Sequence, residues 1–400
     1  MKGVLGPSVM DVSATMTALD EEERNMLMQE RWTEKLVRNI LERRHQFGIS
    51  RVGSVTRLDR IGIPVVQVSR PMALSNAVAQ GKGLTLIAAA ASALMESIET
   101  WAAERLPKER MFTATAKALG TSVTDLYAQS LLSNAPSGWD DTQVQWCQGW
   151  DMLSERVLPV PMALVDTVYT VPSPHPTFFP RTTTGLGAGS SMRDAIYHAA
   201  LESLERVAVA EAGSIPHFFD RYQVDPASVD SPGAAAILRV IHDAGLVAGI
   251  WFVPSSHMIP TYWCHVMEMD GTVELAPLPA EGYGCHFDHD RALSKALLEA
   301  CQSRLAAISG AREDITRVFY PCQHDRSHLA AWRAELSLGR KLAEFSSESS
   351  SLAVGRGRLR TLLDSFKRVG AQAVVVVPLF SDAEANIYVV RLIAPANQRI

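Results

Sequence analysis

Three segments of the chain repeat one pattern of residue types: Ser92–Glu99 reads SALMESIE, His198–Glu205 reads HAALESLE, and Lys295–Gln302 reads KALLEACQ. Each gives a polar residue, three small or apolar residues, a glutamate, two more residues, and a second carboxylate or its amide. At about 100° per residue, positions i, i+4 and i+7 share a narrow stripe of a helix, so each segment carries a polar line on an apolar body. Asp194 extends the second line back by one turn. Asp194, His198, Glu202 and Glu205 then look into one space, with Arg206 beside them.

One such glutamate pair is ordinarily a solvated helix face. Here the flanks, Leu86–Met95 and Ala195–Leu204, are strongly apolar. Unpaired carboxylates in such surroundings lose hydration at a cost of several kcal/mol each, or shift their pKa values. A divalent cation answers that charge. Oxygen ligands without His or Cys at regular spacing suit Mg²⁺, which brings phosphate oxygens into its shell. Glu96, Glu99, Glu202 and Glu205 are therefore candidate ligands for two Mg²⁺ ions, and Lys82, Arg206 and Lys295 candidate phosphate contacts. The implied ligand is ATP on a site carried by helices.

The familiar nucleotide motifs are missing. A Walker A loop around Lys82 would need glycine at Asn76 and Ser or Thr at Gly83. Gly185–Gly189 is G-x-G-x-G, read as a turn or a backbone nest just ahead of the Asp194 helix. There is no HExxH, no GxSxG and no kinase HRD or DFG set.

The elements that must position these residues recur in one order. The β-rich run Gly62–Val68 ends at Pro71 and is followed by a turn at Gly81-Lys82-Gly83 and an apolar helix. A strand and proline-rich loop over Val157–Thr183 lead to the Gly185–Gly189 loop and a long helix from about Met192. Strands at Gly245–Pro254 and Tyr262–Met269 precede a turn at Gly282-Tyr283-Gly284 and a helix from about Asp290 to Ile308. Ala373–Pro378 is a late buried strand. At the other end, Asp20 caps a surface helix that runs to Phe47 and is stopped by Gly48. Ser346–Ser351 is a polar loop.

With 400 residues, 47% hydrophobic and 20% charged, the chain is globular with core for two or three lobes. A net charge of −5 supplies no positive field for a nucleic-acid partner. The longest uncharged apolar run, Gly83–Met95, is shorter than the ~20 residues of a membrane span. No secretory signal opens the chain, so a cytoplasmic protein is expected. The cysteines Cys147, Cys264, Cys285, Cys301 and Cys322 are scattered without a C-x-x-C pair, against a disulfide framework or zinc ribbon. Cys285-His286-Phe287-Asp288-His289-Asp290 is read as a loop bordering the site through Asp290.

These residues carry a resemblance. Gly48–Pro71 (GISRVGSVTRLDRIGIPVVQVSRP), QGKG at Gln80–Gly83, SALMESIE, HAALESLER, and LLEACQSRL with GARED at Gly310–Asp314 are similar, in order, to motifs of the YcaO family. The resemblance implies an α+β fold with mixed sheets and an ATP/Mg²⁺ site lined by helices bearing paired glutamates. It implies a helical extension over residues 1–48 and a catalytic domain over 49–400. The implied activity is ATP-dependent phosphorylation of a peptide backbone amide oxygen, which activates the carbonyl for a nucleophile. On this resemblance Glu96, Glu99, Glu202 and Glu205 meet magnesium and phosphate, Ser92 sits beside them, and Arg206 touches phosphate. Glu96, Glu202 and Arg206 are then the catalytic residues. Asp194 stands where the family usually has Glu, Ser190 where Asn is common, and Glu299 and Lys295 lie near the nucleotide. Arg51 resembles a basic residue near the nucleotide. Thr100 and Val207 replace the common Arg and Asp. Arg304 lies about 140° round the helix from the Glu299 face and is read as serving a separate job such as an inter-helix ion pair.

Azoline-forming members end in a PxPxP tail, whereas this chain ends APANQRI. The phrases TRLDRIGIPV and GYGCHFD resemble members paired with TfuA-like proteins, which install backbone thioamides from a sulfur donor. Thioamide formation on a peptide or protein substrate is the first expectation, with a TfuA-like partner and a homodimer implied by relatives. The alternatives are an azoline- or amidine-forming cyclodehydratase and a non-catalytic nucleotide-binding scaffold subunit.

Overall fold

Gly81, Gly187 and Gly284 each stand fifteen positions ahead of a motif glutamate, Glu96, Glu202 and Glu299. The computed structural model, which describes residues 8–17, 29–269, 279–311, 326–337, 343–346 and 357–395, shows why. Each glycine lies in or beside an edge strand against which the following helix packs. A Cβ at Gly81 would lie 2.0 Å from the Ala93 nitrogen, at Gly187 2.4 Å from the Ala195 oxygen, and at Gly284 2.1 Å from the Ala292 oxygen. Glycine on the strand and alanine on the helix let backbone approach backbone.

Three antiparallel sheets hold these strands. The first is Arg51–Ser54, Val65–Ser69 and Val78–Lys82, in that order. The second orders Met111–Ala114, Val144–Asp151, Val375–Asp382, Ile387–Ile393 and Leu186–Gly189, with Arg156–Pro161 paired to Val144–Asp151. The third orders Ala280–Cys285, Thr261–Glu268, Leu246–Phe252 and Gln223–Val224. The motif helices, Leu86–Ala103, Met192–Gly213 and His289–Ser309, each follow an edge strand and are capped by Thr85, Ser191 and Asp288, whose side chains accept from backbone N–H groups. The expected α+β architecture is present. The helix Gln29–Glu42 buries Leu36 and Ile40 in the same core as the first motif helix.

Some expectations are corrected. The glycine pairs expected as turns are extended strand, because their role is close helix packing. The last motif of the chain is a strand pair, Val375–Asp382 with Ile387–Ile393; the second partner inserts beside Leu186–Gly189. The apolar run at the start of the first motif helix is not wholly buried, since Leu84, Leu86 and Ile87 are exposed. Asp290 faces away from the motif glutamates and accepts from the Gly233 and Ala234 N–H groups at the start of helix Pro232–Asp243. Arg304 does make a separate ion pair, but its partners are Asp59 in a loop and Glu268 on a strand. Cys322, the GARED residues from Arg312 onward, Asp20, most of Ser346–Ser351 and the terminal ANQRI lie outside the described residues. Among the described residues no helix is long and apolar enough to cross a membrane.

Candidate active site

The three polar stripes converge on one cavity of about 1000 Å³. The first helix contributes Ser92, Glu96 and Glu99, the second Asp194, His198, Glu202 and Arg206, and the third Glu299 and Gln302. Lys82 from the first sheet and Ser190 from the turn before the second helix complete the polar wall.

The electrostatics fit a missing counter-charge. Glu99 is pushed up from 4.5 to about 8, first by burial and then by the neighbouring charges of Glu202 and Glu96. It does so even while accepting the Ala188 N–H at 2.7 Å. Burial likewise pushes Glu202 up to about 7, against the pull of Arg206. Glu299 runs the other way: burial opposes its charge, but Lys82, at 2.7 Å, holds it below the ordinary carboxylate value. Two desolvated carboxylates that repel each other are short of positive charge, and Mg²⁺ with a triphosphate suits that deficit. Among the described residues no three His, Cys, Asp or Glu side chains converge tightly enough to hold a metal alone. One or two carboxylates sharing an ion with phosphate oxygens is the ordinary arrangement for Mg²⁺.

Three of the residues singled out from sequence stand apart from the cavity wall. Arg51 is exposed on the strand of the first sheet farthest from Lys82. Glu205 is buried, accepts the Cys285 N–H at 3.1 Å, and lies 3.6 Å from Arg206 and 3.9 Å from Lys295. Burial raises its pKa and Lys295 opposes the rise. Lys295 also donates to the Cys285 carbonyl at 3.3 Å. Glu205 thus ties the second helix to the edge of the third sheet and steers two cations toward the site. The Ser190 hydroxyl donates a short hydrogen bond to the Asp194 carboxylate, so the serine is tied to the residue it precedes by one turn. Sequence reasoning left Asn76, Gln80, Thr100 and Tyr169 out of the wall; Asn76 and Tyr169 come from loops, Gln80 from the strand Val78–Lys82, and Thr100 from the first motif helix one turn past Glu96. His198 was in the stripe, and it lines the cavity with its pKa lowered by burial and by Lys295, which keeps the ring neutral.

Burial pushes the Cys285 thiol up to about 12, and Cys147, Cys264 and Cys301 are also free and buried.

Comparison with known proteins agrees with this geometry. The sequence model of the YcaO cyclodehydratase family, described as ATP- and Mg²⁺-binding, matches residues 80–397. An uncharacterized protein of Methanothermobacter thermautotrophicus is 31% identical over 87% of this chain and 89% of its own. An uncharacterized protein in the tfuA 3′ region of Rhizobium leguminosarum bv. trifolii is 31% identical over 87% of this chain and 83% of its own. Uncharacterized Mycobacterium tuberculosis relatives are 36% identical, and the chain spans 60% of their length. Among solved structures, YcaO from Methanopyrus kandleri bound with AMPPCP and Mg²⁺ superposes with a TM-score of 0.65 at 21% identity, covering 91% of this chain and 90% of that one. The E. coli microcin synthetase McbBCD complex with pro-MccB17 gives a TM-score of 0.60 at 12% identity, covering 86% and 87%. At such identities the structural likeness establishes the fold alone. The family match encloses all three motif helices and nearly the whole cavity wall, and on that match this chain belongs to the YcaO family.

Proposed function

We propose that this chain is an ATP- and Mg²⁺-dependent enzyme that phosphorylates a peptide backbone amide oxygen, and that its product is a thioamide. The observation that carries the nucleotide reading is the pair Glu99 and Glu202, whose raised pKa values mark a cavity built for bound positive charge. Magnesium, when bound, would neutralise charge on the transferring phosphoryl group. Glu96, Glu99 and Glu202 would hold it, with Glu205 behind them. Arg206 and Lys82 would bind phosphate oxygens, and Ser92, Ser190 and Asp194 would fix the orientation of the nucleotide. Lys295 and Glu299 would set the charge of that wall. In the reaction the amide oxygen takes the γ-phosphoryl group and ADP leaves; sulfide bonds to the carbon, and loss of phosphate leaves C=S.

Sulfur as the nucleophile is supported by the relative encoded in a tfuA 3′ region, which makes a TfuA-like protein the partner to supply in an assay. A cytoplasmic location accords with the nucleotide and sulfide chemistry. The test is incubation of candidate peptides with ATP, Mg²⁺, sodium sulfide and that partner, reading ADP and product mass. Exchange of oxygen for sulfur supports the thioamide. Loss of water would instead indicate a cyclodehydratase, and nucleotide binding without peptide-dependent ADP release would indicate a scaffold subunit.

A further inference from the structure

Gly282 and Gly284 face the third motif helix so closely that neither admits a Cβ. Strand alternation then turns Tyr283, between them, to the opposite face of the sheet. There its ring lies under the Arg206 guanidinium, 5.3 Å from the ring centroid. The ring is pinned on two further sides. Trp263 is its cross-strand partner, with ring centroids 5.1 Å apart. The Tyr283 hydroxyl donates to Glu281 at 2.6 Å, and Glu281 lies 3.5 Å from His265. Arg206 itself is held only loosely by its carboxylate neighbour, 3.6 Å from Glu205, and its side chain is 38% exposed toward the cavity. A flexible guanidinium at a phosphate site needs a surface that fixes its plane without neutralising its charge, and an aromatic face does both.

We infer that Tyr283 is a positioning residue whose ring orients Arg206 toward the triphosphate of bound ATP. This rests on the ATP reading above. The feature that matters is the aromatic face, so Tyr283→Phe is the conservative variant and Tyr283→Leu the disruptive one.

Two measurements separate this inference from the reading beneath it. The first needs no nucleotide: the Arg206 Hε resonance, assigned by its loss in Arg206→Lys, carries a ring-current shift in the wild type. That shift is retained in Tyr283→Phe and lost in Tyr283→Leu. The second is Mg²⁺-ATP affinity by calorimetry together with kinetics of ADP release. Tyr283→Leu weakens ATP binding about tenfold and raises KM for ATP with little change in kcat, while Tyr283→Phe stays near wild type. An unshifted Arg206 resonance in the wild type overturns the inference. So does equal impairment of the Phe and Leu variants, or a Leu variant that binds ATP normally. A Leu variant with a lower melting temperature and a proportionate loss of kcat would make the tyrosine merely structural. Failure of the wild type to bind Mg²⁺-ATP, with the ring shift present, overturns the nucleotide reading and the purpose assigned to the ring, and leaves only the contact.

Discussion

Lys82 Nζ donates to Glu299 Oε2 at 2.7 Å, joining the edge strand of the first sheet to the third motif helix at the cavity wall. The Gln302 amide donates to the Gln80 carbonyl at 2.9 Å one helical turn further on, so the same strand and helix are fastened twice. Lys82 and Glu299 together present little net charge, and a triphosphate arriving at this wall meets a lysine already fixed in place. Removing the lysine leaves Glu299 facing the phosphate without its main counter-charge.

Lys82→Met is accordingly expected to weaken Mg²⁺-ATP binding by about tenfold or more, the range of a charged hydrogen bond of about 1.5–3 kcal/mol. Glu299→Gln, which keeps volume and frees the lysine, is expected to weaken it far less. Calorimetry on the two variants checks the order, and a Lys82→Met protein with wild-type affinity would show that phosphate binds elsewhere on the wall.

The carboxylates give a pH signature with two opposite signs. Glu99 and Glu202 have native values of about 8 and about 7 against an ordinary 4.5, so the native state holds protons that the unfolded state releases. Their contribution to stability is full below pH 4.5 and is lost as pH rises through 7 to 8, by linkage. Magnesium binds the ionised forms, so nucleotide binding should release protons and strengthen over the same interval. Thermal unfolding from pH 6 to pH 9, with and without Mg²⁺-ATP, is the check. The free protein's melting temperature should fall while the ligand-induced rise grows. In Glu99→Gln the fall should flatten and the ligand-induced rise should shrink. A free protein whose melting temperature is flat in the wild type would contradict the charge deficit.

Glycine packing is tested without any ligand. Gly284→Ala would place a methyl 2.1 Å from the Ala292 oxygen, and Gly81→Ala 2.0 Å from the Ala93 nitrogen; in both cases the obstacle is helix backbone. Each is expected to cost about 1–3 kcal/mol, the range for overpacking, in urea unfolding. Gly213→Ala, with nothing within 4 Å, is the control and should be neutral or slightly stabilising. Similar midpoints for all three variants would mean the strands and helices sit farther apart than described.

These glycines also mark where sequence reading stopped. The stripes were legible because helical period and residue type are local properties: Glu96, Glu99, Asp194, Glu202 and Glu299 do line one cavity. A glycine pair between apolar runs looks the same whether it turns the chain or admits a helix, and only the partner helix, long-range in space, decides. Glu205 has the right type and spacing yet sits behind the wall, because Cys285 of another sheet offers it an N–H. The strand Ile387–Ile393 was missed beside its partner, and Tyr169 was invisible because it reaches the cavity from a loop.

The buried charges of Arg304 carry the last test. Its guanidinium is fully buried, with Nε 2.9 Å from Asp59 Oδ2 and Nη1 2.8 Å from Glu268 Oε1. Arg60 approaches Glu268 at 3.8 Å. Asp59 belongs to the loop between the first two strands of the first sheet, and Glu268 ends a strand of the third, so this cation clamps the two sheets whose residues Lys82 and Glu299 meet at the cavity. Arg304→Met leaves two carboxylates in a dry interior and is expected to cost about 3–5 kcal/mol. The triple replacement Asp59→Leu, Glu268→Leu, Arg304→Met removes all three full charges and should recover most of that loss, since the charges must be desolvated as well as paired. Denaturant unfolding of the two proteins decides the matter. An Arg304→Met protein as stable as the wild type would mean that water reaches this cluster and that the clamp between the sheets lies elsewhere.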